Sequence, residues 1–202
     1  MPRTTIVTTV FALATAVGVT PSLSSDLDIV TREAWKAKPG KVKLMKAQTP
    51  REIIIHHTSV RQQPKISLER KMRGLQGFSQ RAGKVGTRRK PAWGDVPYHY
   101  YIGVSGRIGE GRDINFAGDT NTRYSTKDRV QVVLEGYFDK EQPNAKQLAS
   151  LNALTLALAR KYKIPASKIT GHNDHASTDC PGKHLKIHLP ALRAAVKDVA
   201  AQ

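Results

Sequence analysis

Apolar and polar positions fall into short blocks of changing period along this chain. Residues 51–58 carry three consecutive isoleucines, Ile53, Ile54 and Ile55, and end in polar residues, which predicts a strand buried on both faces. Over residues 66–82, Met72, Leu75 and Phe78 share one face while Arg70 and Lys71 face outward, which predicts a helix capped by Ser67. Residues 83–91 are basic and contain glycine, and predict a loop. Tyr98, Tyr100, Tyr101 and Ile102 make residues 96–104 β-prone, with a turn at Ser105-Gly106 and a short returning strand over 107–111. Residues 118–129 are polar and irregular, and Val130, Val132, Val133 and Leu134 predict a further strand over 130–138. The clearest helix covers 144–162, where Leu148, Leu151, Leu154 and Leu158 form a stripe and Pro165 lies past the end. Pro190 opens a last helix with Leu192, Val196 and Val199 inward. This order of strands and helices predicts an α/β fold, one domain with a mixed central β-sheet flanked by helices.

The N-terminus has a different pattern. A short positive start, Met1-Pro2-Arg3, precedes an apolar or small stretch over 4–20, and Pro21-Ser22-Leu23-Ser24-Ser25 follows. This reads as a secretory signal peptide over 1–24, with a tether over 25–28 and the domain over 29–202. The apolar core is too short to span a membrane comfortably, and no later stretch is long and apolar enough to do so. The expected location is outside the cytoplasm, secreted or periplasmic.

Composition narrows the partners. The 202 residues are 39% hydrophobic and 24% charged, enough for one globular core. Formal net charge is +17, and +16 once Arg3 leaves with the first 24 residues. Such a field concentrates polyanions, either nucleic acid or a wall bearing carboxylates and phosphates. The basic residues are scattered, and only Arg88-Arg89-Lys90 forms a run, which reads as a solvated loop rather than a nucleic-acid patch. Nucleic-acid binding also needs available aromatics, and the tyrosines fall in a strand expected to be interior.

The chain holds one cysteine, Cys180, so no internal disulfide can form and the thiol is a leftover group, a small buried hydrophobe or a metal ligand. His172 lies eight residues before it on a loop bracketed by Gly171 and Pro181-Gly182. Far upstream, His56-His57 ends the isoleucine strand. Two imidazoles and one thiolate are enough to hold zinc with one position open. Strand alternation sends His56 and His57 to opposite sides, so one of them can line a site. His175, Asp174 and Asp179 compete as ligands or as acceptors that orient an imidazole.

Four segments together resemble the peptidoglycan recognition protein family, which is similar to the amidase-type lysozymes of bacteriophages. They are Ile29-Val30-Thr31-Arg32-Glu33-Ala34-Trp35 with Ala37-Lys38-Pro39, Ile53 to Thr58, Trp93 to Gly103 with Gly106 and Gly109-Glu110-Gly111-Arg112, and Gly171 to Gly182. The resemblance implies a zinc-dependent N-acetylmuramoyl-L-alanine amidase acting on the amide between N-acetylmuramic acid and L-alanine in peptidoglycan. His56, His172 and Cys180 would be the zinc ligands. Tyr98 would hold the attacking water or the oxyanion, and Thr178 would steady the same oxyanion. Trp93, Arg112 and His57 would contact substrate, with Arg112 suited to the extra carboxylate of a meso-diaminopimelate stem. Ala92 departs from the Gly-Trp pair that accompanies that preference. Residues 118–129 lack the family's histidine and Tyr-Asn pair, carrying Asp119, Thr120, Asn121 and Tyr124 instead. The loop over 83–91 looks longer and more basic than usual. A non-catalytic peptidoglycan-binding protein is the alternative expectation, since members without the cysteine are receptors.

Overall fold

A computed structural model describes residues 27–200 of the chain. The expected signal segment over 1–24 lies outside the described residues, as do Ser25 and Asp26 of the tether.

Six strands form one sheet in the order β1-β6-β5-β7-β2-β8: β1 (Ile29–Val30), β2 (Glu52–His57), β5 (Tyr100–Ile102), β6 (Ile108–Glu110), β7 (Arg129–Leu134) and β8 (Ile169–Gly171). β5 and β6 are antiparallel, while β1 pairs with β6, and β7 with β5 and β2, in parallel, as does β8 with β2. The sheet is therefore mixed, as the interleaved pattern predicts. Helices α1 (Leu68–Ser79), α2 (Ala145–Tyr162), α3 (Lys183–Lys186) and α4 (Leu189–Ala200) flank it.

Side-chain alternation sorts the sheet into two faces. Ile53 and Ile55 of β2, Val130, Val132 and Leu134 of β7, and Tyr100 and Ile102 of β5 join one core cluster with Leu151, Leu154 and Leu158 of α2 and Leu192 and Val196 of α4. Tyr101 and Val133 point the other way, to Leu68 and Met72 of α1 and to Trp35. His56 follows that second parity, so β2 carries it to the α1 side. Leu148 is only partly buried on the rim of the first cluster. The side chain of Val199, expected inward, lies outside the described residues.

α1 and α2 are both capped at their N-termini, α1 at the expected Ser67. Ser67 accepts from the Arg70 amide at α1. Asn144 and Gln147 make a reciprocal capping box at α2.

Two expectations need correction. Residues 83–91 are not an open loop: Gly83–Val85 (β3) and Arg88–Lys90 (β4) pair as an antiparallel hairpin. Gly86 makes the tight turn with φ +57°, where a Cβ is disfavoured. The buried Lys90 anchors the hairpin, its Nζ donating to the carbonyls of Ser79, Arg81 and Pro91. The strand expected over 96–104 is regular only at Tyr100–Ile102. Ahead of it Pro97 has no N–H to give a ladder, and the backbone of Tyr98 and His99 bonds to Arg112, Gly111 and Gln131 instead.

Candidate metal centre and its cleft

Strand register brings the distant ligand candidates together. β8 runs level with β2, pairing Ile169, Thr170 and Gly171 with Ile53, Ile54 and Ile55. The next residue of each strand is a histidine, and the rings of His56 and His172 lie 4.6 Å apart between centroids. The chain then loops back to Cys180, whose carbonyl accepts from the Asn173 amide at 2.8 Å. Gly182 closes that loop at φ +88°, where a Cβ would lie 2.6 Å from the Phe138 carbonyl carbon and 2.9 Å from His57 Nδ1. No other residue fits that corner.

One donor atom from each of His56, His172 and Cys180 lies within 4.8 Å of the other two, and all three residues are buried. Cys180 Sγ is 3.5 Å from His56 Nδ1. Bonds of about 2.3 Å to sulfur and 2.0 Å to nitrogen at a tetrahedral angle separate those atoms by about 3.5 Å. His56 Nε2 donates outward to Gln131 Oε1 at 2.6 Å, and His172 Nε2 bonds Thr122 Oγ1 at 2.7 Å. Each ring thus keeps Nδ1 for the centre of the triangle, oriented from behind in the manner usual for metal-binding imidazoles.

The electrostatics fit a cation. Burial, followed by the nearby His172, holds His56 well below the ordinary histidine range. Burial lowers His172 to about 4. Both imidazoles are therefore neutral donors near pH 7. Burial pushes the Cys180 thiol up to about 12, so it ionises there only beside a positive charge. A divalent ion would supply that charge, and two nitrogens and one sulfur are a donor set suited to one.

Tyr98 stands beside this triangle, its ring 5.3 Å from that of His56. Burial raises its hydroxyl far above the usual phenol range, so it remains a proton-bearing donor. Tyr98, Trp93 and Tyr101 line a cleft of about 540 Å³ walled by Leu75 and Phe78 of α1. Thr178 Oγ1 accepts from the Cys180 amide at 3.3 Å, which leaves its own hydrogen to donate elsewhere.

Two expected substrate contacts lie elsewhere. Arg112 is not available: its side chain is 1% exposed. Its Nε donates to the Val96 carbonyl, Nη1 to the Ala117 carbonyl, and Nη2 to the Asp95 carbonyl and the Asp119 carboxylate. With four donor contacts inside the protein it organises loops rather than facing solvent. His57 is 4% exposed and points to the opposite face. Its Nδ1 accepts from the Phe138 amide, and its Nε2 bonds Ser59 Oγ.

Three contributors were given no role in the site from the sequence. Gln131 Oε1 accepts from both His56 and the Tyr124 hydroxyl. The Tyr124 ring lies 5.0 Å from His172 and 5.8 Å from His175. Thr122 holds His172. The one available signal was Gln131 itself, a polar residue in the apolar strand 130–134. His175, a competing ligand in the sequence, instead bonds Thr170 Oγ1 at 2.8 Å.

A mixed-sheet domain with a buried two-histidine, one-cysteine triangle at the ends of its central strands defines a recognisable class. Residues 46–183 match the N-acetylmuramoyl-L-alanine amidase family, and the chain belongs to that family, which it shares with the peptidoglycan recognition proteins. It is 30% identical over 177 residues to peptidoglycan-recognition protein SD of Drosophila simulans, covering 84% of this chain and 88% of that one. Among solved structures, a Y78F mutant of Drosophila PGRP-LB in complex with tracheal cytotoxin aligns with TM-score 0.67 at 26% identity, covering 81% of this chain and 93% of that one. The N-acetylmuramoyl-L-alanine amidase LysC of Clostridium intestinale aligns with TM-score 0.60 at 25% identity, covering 88% and 99%.

Proposed function

We propose that this protein is a zinc-dependent amidase that hydrolyses the bond between N-acetylmuramic acid and L-alanine in peptidoglycan. The observation that carries the reading is the buried His56-His172-Cys180 triangle beside Tyr98, whose side chain lines the cleft. Family membership and the amidase LysC among the similar structures support it, and the tracheal cytotoxin bound to the PGRP-LB mutant supports a wall fragment as ligand.

His56, His172 and Cys180 would hold a zinc ion, which would supply Lewis acidity at the scissile carbonyl and lower the pKa of a bound water. The chain's own groups do the rest. Gln131 and Thr122 fix the two imidazoles through their outer nitrogens. Tyr98 presents a hydroxyl that stays protonated and donates to the oxygen where negative charge develops. The Thr178 hydroxyl, already accepting from the Cys180 amide, turns its hydrogen toward the same oxygen. The cleft walls of α1 and Trp93 seat the peptide side and exclude water. No helix among the described residues is long and apolar enough to cross a membrane, and the reading places the protein outside the cytoplasm, at the wall.

The recognition-protein names among the relatives favour a second reading, binding without cleavage. One experiment separates the two. Purified full-length protein is incubated with sacculi, and new amino termini are identified by mass spectrometry. Amidase action releases stem peptides that begin with free L-alanine, and a chelator stops the release. Binding to sacculi with no new termini, in protein containing zinc, contradicts the amidase.

A further inference from the structure

The Arg88-Arg89-Lys90 run has no role in the chemistry above, and the structure divides it. Lys90 is buried at the base of the β3–β4 hairpin, beneath three carbonyls and 4.4 Å from the centre of the Trp93 ring. Arg88 and Arg89 are exposed. Together with Arg123 they line a pocket of about 610 Å³. Among the described residues, none of the three has a carboxylate within ion-pair distance or a side-chain hydrogen bond.

This is more than a solvated charge run. The pocket's other wall is Asn121 and Thr122, closed by Ala176 and Ser177 of the Cys180 loop. Asn121 Nδ2 is a buried donor without a partner, an arrangement that is unfavourable when nothing fills it. Thr122 holds His172, so the pocket adjoins the metal centre. Preceding residues of the hairpin, Lys84, Val85 and Gly86, line the Tyr98 cleft. The hairpin therefore borders both spaces, and its anchored base holds the two arginines in place. Three unpaired guanidinium groups and an orphan amide N–H share one chemistry: they donate to an oxyanion, and guanidinium forks match a carboxylate bidentately.

We propose that Arg88, Arg89 and Arg123, with Asn121, form an anion subsite that takes a carboxylate of the peptide stem. The inference rests on the peptidoglycan reading above and adds to it a substrate requirement. It also shifts acid recognition away from Arg112, which is enclosed, to three exposed arginines.

The test measures binding apart from cleavage. Zinc-loaded full-length protein carrying Tyr98→Phe, which slows cleavage and serves as the parent, is titrated calorimetrically with a muramyl tripeptide carrying free carboxylates, with the same tripeptide amidated at those carboxylates, and with a muramic acid 6-phosphate disaccharide. The free acid should bind about tenfold or more tightly than its amide, and added salt should narrow the gap. Arg88→Ala with Arg89→Ala, and separately Arg123→Ala, should lose that discrimination while binding the amide as the parent does. Arg88→Gln with Arg89→Gln, which keeps a polar side chain and removes the charge, should fail in the same way. Equal binding of acid and amide by the parent, or unchanged discrimination in the variants, overturns the subsite. A preference for the phosphorylated disaccharide that depends on the same arginines overturns it too. Selective binding of the acid by a protein that never cleaves sacculi leaves the subsite standing and removes the amidase; cleavage without acid preference does the reverse.

Discussion

His56 and His57 are neighbours at the end of one strand and nearly equally buried, at 3% and 4% exposure, yet their surroundings differ in kind. His56 faces α1, with Tyr98, His172 and Cys180 around it. His57 faces the other side, where Tyr137 and Phe138 pack on it and both ring nitrogens are bonded internally. Burial alone does not make a metal ligand. The difference is what the sheet's parity places opposite the ring: a second imidazole and a thiol on one face, a backbone amide and a serine on the other.

Substitutions sharpen this contrast. The largest effect is expected for Cys180→Ala, which removes the one donor that becomes anionic. Release of stem peptides should fall by about a thousandfold or more, with zinc lost from the purified protein; retained release breaks the contrast. Tyr98→Phe keeps the ring beside His56 and removes the hydroxyl. Turnover should fall by about 10²–10³-fold, the usual effect of losing one oxyanion donor, with zinc content unchanged by metal analysis. Gln131→Leu leaves the triangle intact but frees the outer nitrogen of His56. Zinc affinity should fall by about 10–100-fold in chelator competition.

On the other face, His57→Leu should leave zinc bound and lower stability by about 1–3 kcal/mol in urea unfolding, because the Phe138 amide loses its acceptor. A zinc-free His57→Leu protein that is otherwise folded would contradict the assignment of the two faces.

The parts of the site that were legible in the sequence are those with a chemical signature of their own. The lone cysteine, the histidine eight residues before it, the histidine after three isoleucines and Tyr98 carry the resemblance, and the structure brings them into one corner. The supporting groups were not legible, because their meaning comes from register. Gln131 matters only because β7 lies beside β2 in parallel and both residues face α1. Thr122 and Tyr124 belong to the polar segment over 118–129, where no periodicity constrains a reading. The enclosure of Arg112 involves Asp119 from that same segment, a partner the sequence did not mark, while the family resemblance implied a contact with substrate. The 83–90 hairpin was hidden because its strands are short and basic on both faces, without the alternation that marks a half-buried strand. The long helices and the isoleucine strand were legible since each buries a whole face against the others.

The most direct measurement is X-ray absorption at the zinc edge on the full-length protein after one equivalent of zinc is added. The account predicts one bound zinc with one sulfur at about 2.3 Å and two imidazole nitrogens at about 2.0 Å, the sulfur disappearing in Cys180→Ala. Failure to retain zinc, or a coordination shell of the parent protein without sulfur, would contradict it.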